Sequence, residues 1–330
     1  MATTSILLTG ATGYIGSQVV LELLARYGDR FRLKILARQT SDCSFLSGLP
    51  VDIIRADLLD VPAMSEAFVG VDTVFHCAGL IAYTRNFRNR LYEVNVVGTR
   101  NVVNASIEHG VRRLVVTSSI AAIGGTEDGS PASESSSFME WQRRNGYMES
   151  KHLAELEALR GVAEGLDTVL VNPGVVIGVD KRNKASVSSS NDVLRMISEG
   201  QLPFCPSGGT GFVDVRDVAM AHVKAWQKGV TGQRYIIVGH NKTFSQLFEA
   251  LRGVSGSSPD RKVYPFGGFA AVLAGVGGEI WSLLFNRPSF ISLESSRMAS
   301  KKLAYLNDLS VQELGMAYRP LEDTLATVVQ

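Results

Sequence analysis

Short apolar runs alternate with amphipathic stretches through the first half of the chain. Ser5–Thr9, Leu33–Ala37, Val51–Arg55, Thr73–Cys77, Leu114–Thr117 and Thr168–Val171 are rich in Ile, Val and Leu and bounded by turn residues, which predicts strands. Between them, Tyr14–Tyr27, Val61–Val69, Leu91–Glu108 and Tyr147–Ala163 carry apolar positions three and four apart, which predicts helices. Strands that are apolar throughout are covered on both faces. The expected fold class is therefore α/β, a doubly wound parallel sheet with ligands beyond the carboxyl ends of its strands.

The pattern changes after Asn172-Pro173-Gly174. Long loops, a serine-rich patch (Ser186–Ser190) and one helix, Asp192–Glu199, run on to Gly211. Phe212–Val213, Val215–Lys228 and Arg234–Val238 then predict a last strand, helix and strand, and Thr243 is placed to cap a helix over Phe244–Arg252. The tail from Pro259 onward is expected to be helical and apolar. Within it, Phe266–Phe285 has a single charge, Glu279, and about the length of a bilayer span. Its five glycines and central carboxylate argue against crossing a membrane. A buried helix or helix pair is expected there, with a surface facing membrane or an apolar ligand as the alternative.

Composition removes whole classes. The 330 residues hold 33 Lys+Arg against 32 Asp+Glu, a net charge of +1, so the surface offers no electrostatic grip on nucleic acid. With 45% hydrophobic and 20% charged residues, disorder as the main state is excluded. Cys43, Cys77 and Cys205 form no CxxC pair, and the five histidines show no metal-ligand spacing, so no metal is expected. The start MATTSILLTG lacks a basic and then long apolar signal, which fits a cytoplasmic protein without membrane association.

Thr9-Gly10-Ala11-Thr12-Gly13-Tyr14-Ile15-Gly16 follows the first strand directly and opens the first helix. Gly10 permits the tight turn, Gly13 lets backbone approach a pyrophosphate, and Gly16 allows close packing of helix on sheet. The helix N-terminus adds free N–H groups and a positive dipole end. Gly10, Thr12, Gly13, Tyr14, Ile15 and Gly16 are thus expected to hold a dinucleotide. The second strand ends at Arg38, where an acid would accept the ribose hydroxyl of NAD; a guanidinium instead matches a 2′-phosphate. NADP(H) is preferred on that ground, with NAD(H) as the alternative. Asp57, beside Leu58 after the third strand, is placed either to bond the adenine amino group or to cap the helix near Pro62. Residues 1–172 and 211–238 are expected to form the dinucleotide-binding domain, and residues 173–210 and 239–330 a smaller, mostly helical substrate lobe.

Tyr147 and Lys151, four apart, share one helical face at the ligand edge. The neighbouring ammonium is expected to lower the tyrosine pKa, fitting it to exchange a proton with an alcohol oxygen. Thr117-Ser118-Ser119 closes the fifth strand at the same edge, where a hydroxyl can bind the reacting oxygen.

Taken in order, TGATGYIG, Phe75-His76-Cys77-Ala78-Gly79, Tyr92–Thr99 (YEVNVVGT), the TSS strand end, Tyr147-x-x-x-Lys151, Asn172-Pro173-Gly174 and Phe212–Ala219 (FVDVRDVA) resemble an extended short-chain dehydrogenase/reductase. Arg38, the IRADLLD segment, Leu91–Thr99 and TSSIAAIG resemble most its dihydroflavonol reductase branch. The match covers roughly residues 4 to 238. The resemblance implies a Rossmann fold, with Tyr147 as general acid/base, Lys151 on the nicotinamide ribose and Ser119 on the substrate oxygen, Ser118 being the alternative register. It implies that Asn95 organises its helix, that Ala78 and Gly79 pass close to the cofactor, and that Pro173 and Val175 lie beside the nicotinamide. His76 and Cys77 are expected to be buried strand residues. The loop Gly125–Gly146, with Trp141 and Arg143/Arg144, matches no substrate signature; Trp141 could stack on a ring or cover apolar surface.

The activity so implied is NADP(H)-dependent interconversion of a carbonyl and an alcohol on a small, possibly apolar molecule. A nucleotide-sugar epimerase or dehydratase, a 3β-hydroxysteroid-type dehydrogenase and a non-catalytic NADP(H)-binding sensor are the alternatives. The resemblance also implies a homodimer through helices near Leu91–Glu108 and Tyr147–Ala163.

Overall fold

The computed structural model describes residues 4–28, 30–187, 190–201, 204–256, 264–266, 269–285, 289 and 292–329. Pro259, where the tail was expected to begin, and residues 188–189 of the serine patch lie outside them. The first half runs β1 (Thr4–Thr9), α1 (Tyr14–Tyr27), β2 (Phe31–Ala37), β3 (Val51–Arg55), α2 (Val61–Phe68), β4 (Thr73–His76), α3 (Arg88–Leu91), a π-helical turn (Tyr92–Val97), α4 (Gly98–Glu108), β5 (Arg113–Thr117), α5 (Ile120–Ile123), α6 (Glu140–Arg143), α7 (Gly146–Ala163) and β6 (Thr168–Pro173). There follow β7 (Val175–Ile177), α8 (Lys184–Val187), α9 (Ser190–Ser198), β8 (Phe204–Pro206), β9 (Gly209–Asp214), α10 (Val215–Lys228), β10 (Arg234–Ile237) and β11 (His240–Thr243). The remainder is α11 (Phe244–Ser255), β12 (Tyr264–Phe266), α12 (Phe269–Phe285), α13 (Leu293–Ala299), α14 (Asp308–Gln312) and α15 (Leu321–Val329).

Seven parallel strands form one sheet in the order β10-β6-β5-β4-β1-β2-β3. Alternate residues of β1 show why its sequence has no polar phase. Ile6 and Leu8 pack with Val19, Val20 and Leu23 of α1 and Val218 and Ala221 of α10, while Leu7 packs with Met64 and Phe68 of α2 and Val102 of α4. Both faces are covered. The strand order reverses between β1 and β4, so the connections leaving their carboxyl ends run to opposite faces of the sheet, the place where such folds form a ligand crevice.

The expected strand at Phe212–Val213 forms as part of β9, but it joins a separate three-stranded sheet, β11-β9-β7. Two glycines allow this, since a Cβ on Gly174 would stand 2.5 Å from the Gly211 carbonyl oxygen. Thr243 caps α11 as expected: its hydroxyl accepts the Gln246 N–H (3.2 Å) and Gln246 Oε1 accepts the Thr243 N–H (3.0 Å). Leu247, Phe248 and Leu251 of α11 pack with Leu321 and Leu325 of α15 and Phe212 of β9.

Two expected helices differ in the structure. Leu91–Glu108 is not one α-helix, because the π-helical turn interrupts it. The apolar Phe266–Phe285 segment, of which residues 267–268 lie outside the description, contributes a single helix, α12, rather than a buried one. Leu273, Ile280, Trp281, Leu283, Leu284 and Phe285 are all exposed, Leu284 at 75%. Among the described side chains of α12, the inward positions are the polar and small ones. Glu279 accepts the Arg85 N–H (3.3 Å), the buried Ser282 hydroxyl lies 3.0 Å from Thr84 Oγ1, and a Cβ on Gly275 would reach 2.8 Å from the Leu293 nitrogen. Residues 275, 279 and 282 share one helical face, which turns the large apolar residues from Leu273 to Phe285 outward. No helix among the described residues is long and apolar enough to cross a membrane.

Candidate active site

The turn from β1 into α1 is pressed against its surroundings at two glycines. Gly10 has φ +77, and a Cβ on it would sit 2.5 Å from the Ala78 nitrogen at the exit of β4. A Cβ on Gly16 would reach 2.2 Å from the Gly10 carbonyl oxygen, so α1 lies directly on the turn. Gly13 is the N-cap of α1 and offers no side-chain acceptor to the helix's first N–H groups. Such an end fits a diphosphate, which would take those donors. Thr12 and Ile15 flank this end. The Tyr14 hydroxyl is engaged elsewhere, donating to the Gly178 carbonyl and accepting from Asn191 Nδ2 (3.1 Å), and burial raises its pKa. Gln18 Nε2 donates to Asp180 (2.8 Å) and Asn183 Nδ2 to the Gly13 carbonyl (3.3 Å). Residues 178–183 thus lie over the glycine turn as a strap.

Arg38 stands exposed one residue past β2, and its guanidinium has no partner among the described residues. Of the two roles open to Asp57, capping α2 falls instead to Asp60, whose Oδ1 accepts the Ala63 N–H (3.3 Å). Asp57 closes its own turn, accepting the Leu59 N–H (3.0 Å). Leu58 rests near Gly98, and its carbonyl accepts from Asn101 Nδ2 (2.8 Å).

Asn145 caps α7 through the Met148 N–H (3.0 Å) and so sets Tyr147 in the first turn of that helix. Ser119 caps α5 through the Ala121 N–H (3.1 Å). Of the two candidate serines it is the Ser119 hydroxyl that acts on the phenol, favouring its ionised form. Ser118 Oγ is buried without a partner among the described residues. Lys151, one turn along α7 and also buried, donates to the Thr117 carbonyl (2.9 Å).

The expected lowering of the tyrosine pKa is not what these surroundings produce. Burial pushes Tyr147 up to about 12 against the pull of the Ser119 hydroxyl. Burial also pushes Lys151 down to about 8, with Glu155 opposing. Desolvation acts on both groups and outweighs the polar neighbours that favour their charged forms. His76 is held between Thr9 Oγ1 (2.8 Å) and Thr99 Oγ1 (3.1 Å), and burial drives it down to about 3. Burial drives Cys77 up to about 12, so neither group titrates near neutral pH.

Asn95 sits in the π-helical turn with its amide fully used. Oδ1 accepts the Leu80 N–H (2.7 Å), while Nδ2 donates to the Leu80 carbonyl (3.0 Å) and to Ser150 Oγ on α7 (2.9 Å). It ties the Ala78–Leu80 segment to the helix that carries Tyr147 and Lys151. A Cβ on Gly79 would stand 3.4 Å from Asn95 Oδ1 and 3.6 Å from Lys151 Nζ, so this backbone passes directly before the ammonium.

The side chain of Asn172 precedes Pro173 and Val175 at the end of β6. Its Nδ2 donates to the Ser119 carbonyl (3.0 Å) and to Glu155 Oε1 (2.5 Å), and Glu155 pairs with Arg234 (3.3 Å). Glu155 and Arg234 belong to no motif in the sequence; the one signal for Glu155 is its place four residues after Lys151 on the same helical face. Nor does Tyr83, whose ring meets Tyr147 edge-on at 5.6 Å and 70°. Leu80, Phe87, Phe138, Trp141 and Met298 pack, partly buried, against the apolar cluster that Tyr147 forms with Ala82, Leu91, Ala121 and Met148. Trp141 carries Lys301 Nζ 4.4 Å from its ring centre.

Residues 6–238 match the NAD dependent epimerase/dehydratase family. A putative dihydroflavonol 4-reductase of Synechocystis sp. is 31% identical over 325 residues, covering 97% of this chain and 92% of that protein. Cinnamoyl-CoA reductase 1 of Oryza sativa subsp. japonica is 33% identical over 258 residues, 74% of each chain. Among solved structures, the crystal structure of gox2253 is similar at TM-score 0.83 and 30% identity, covering 99% of this chain and 97% of that one.

Proposed function

The chain belongs to the NAD dependent epimerase/dehydratase family and is an NAD(P)-dependent oxidoreductase, and on that premise we propose that it reduces an apolar aldehyde or ketone to the alcohol at the expense of NADPH. The observation that carries the proposal is the buried Tyr147 beside the Ser119 hydroxyl, with the buried Lys151 one turn away, at the strand edge that also holds the glycine turn.

The nicotinamide, when bound, supplies the hydride. Tyr147 donates its proton to the substrate oxygen, and Ser119 holds that oxygen with a hydrogen bond. A phenol pushed up to about 12 stays protonated at neutral pH, which suits it to donation and hence to reduction. Lys151 binds the ribose. Gly10, Thr12, Gly13, Tyr14, Ile15 and Gly16 take the diphosphate, Arg38 the 2′-phosphate, and Asp57 and Leu58 the adenine. Ala78, Gly79, Pro173 and Val175 line the nicotinamide end, and Asn95 positions Gly79 there. This assignment divides the chain into a cofactor domain of residues 1–172 and 211–238 and a substrate lobe of 173–210 and 239–330. The partly buried Tyr83, Phe138, Trp141 and Met298, packed on the cluster that contains Tyr147, support an apolar, ring-bearing substrate. The names of the two reductase relatives support the same direction of reaction. Exposed Tyr92 and Leu156 on the two helices named above support a homodimer, to be checked by light scattering.

Tyr147→Phe is expected to abolish carbonyl reduction while NADPH still binds. Retained turnover across a panel of aromatic aldehydes and ketones would remove Tyr147 as the proton donor.

A further inference from the structure

The β2–β3 connection, residues 38–50, contains one short 3₁₀ turn at Ser44–Leu46, yet its first four residues are held firmly. The Ser41 N–H donates to the Arg38 carbonyl (3.0 Å), closing a turn directly at the strand exit. Arg55, the last residue of β3 and paired in register with Ala37, reaches across it. Its Nη1 donates to the Arg38 carbonyl (2.8 Å) and to the Ser41 carbonyl (3.1 Å). The side chain is exposed, and its other N–H groups have no partner among the described residues.

We propose that Arg55 is a specificity-determining residue for the adenosine 2′-phosphate, a second guanidinium that fixes the Arg38–Ser41 turn and faces the same dianion as Arg38. The inference rests on the assignment of Arg38 to that phosphate. A guanidinium has five donors, and the two carbonyls engage only Nη1, so Nε and Nη2 remain for an anion. The grip on the turn has its own effect. Arg38 is unpaired and exposed, so a fixed backbone reduces the freedom it must surrender when it meets a phosphate. Both effects act on the 2′-phosphate and neither on the ribose 2′-hydroxyl of NADH. The Arg55 position therefore discriminates between cofactors rather than strengthening both.

The test is calorimetric titration of the full-length protein with NADPH, NADH, 2′,5′-ADP and 5′-ADP. Arg55→Ala is expected to weaken NADPH and 2′,5′-ADP about tenfold, by removing one of two charges opposite a dianion, and to leave NADH and 5′-ADP unchanged. Arg55→Lys, which keeps the charge but cannot bridge two carbonyls, is expected to fall between. Equal weakening of all four ligands would reduce Arg55 to a support of the turn, and no weakening of any would remove it from the site. Arg38→Ala, run in parallel, separates the inference from its premise. If Arg38→Ala lowers NADPH affinity alone and Arg55→Ala changes nothing, only the Arg55 inference falls. If the unaltered protein binds NADPH and NADH equally and Arg38→Ala is neutral, the 2′-phosphate assignment itself fails.

Discussion

Replacing Asn95 by alanine should damage stability and cofactor binding together, because one amide joins three elements. The side chain is buried and makes three hydrogen bonds, two to the Leu80 backbone and one to Ser150. At about 1 kcal/mol net for each bond, Asn95→Ala should cost about 3 kcal/mol. For a chain this long that is a fall in Tm of about 5 °C. The Ala78–Leu80 segment would lose its tether to α7, so NADPH affinity should fall as well. Ser150→Ala alone removes the Asn95 bond and the bond from Ser150 Oγ to the Tyr147 carbonyl (2.8 Å), at about 1–2 kcal/mol. The Asn95–Ser150 bond is counted in both single variants, so the double variant should cost about 1 kcal/mol less than their sum. Thermal unfolding followed by circular dichroism, with NADPH titrations on the same four proteins, measures all of this. Strict additivity would show that the two side chains do not act on each other, and the tether would then have to be abandoned.

Two further outcomes follow from the same geometry. The reductive rate should decline as pH rises through about 8, where the buried Lys151 loses its proton, while Tyr147 at about 12 stays protonated; Lys151→Arg should move that limb upward, and an unmoved limb would assign it to another group. Gly16→Ala, whose Cβ would stand 2.2 Å from the Gly10 carbonyl, should cost about 1–3 kcal/mol and weaken NADPH, whereas Gly253→Ala, on an open face of α11, should gain roughly 0.5–1 kcal/mol; equal shifts in Tm for the two variants would refute the crowding at the turn.

Much of the architecture could be read before any coordinates, for a physical reason. Ile6–Leu8, Val74–Phe75 and Val169–Val171 are apolar without alternation because both sheet faces are covered, and that cover alone implies helices on each side. The glycine turn was readable because steric need leaves its mark residue by residue, as Gly10 and Gly16 show. What escaped has no periodic trace. A one-residue change of pitch at Tyr92–Val97 does not disturb apolar spacing enough to be seen. Tyr83 meets Tyr147 from a loop, where no period applies. The orientation of α12 was unreadable because a helix apolar on most sides has little preferred face; its inward side is chosen by Thr84 and Arg85, some 190 residues earlier in the chain. The sign of the Tyr147 shift is set by its burial, opposed only by the Ser119 hydroxyl, and the degree of burial cannot be read from spacing along a helix.

The π-helical turn has one more consequence, which concerns length rather than composition. A turn of π-helix carries one residue more than its α counterpart, and here that extra residue lies between α3 and the long run of α4. Deleting any single residue from 92 to 97 would let the hydrogen-bond ladder close as continuous α-helix. The flanking α3 and α4 would keep nearly the same phase, because the wider turn absorbs one residue without rotating its ends, and the change would fall on the residues inside the turn. Leu91 would stay in the cluster with Tyr147 and Met148, whereas the Asn95 amide would be drawn away from Leu80 and Ser150 together. A substitution in this stretch removes one side chain's contacts, whereas a deletion displaces every side chain within the turn. The segment is thus held more strictly in residue count than in residue type.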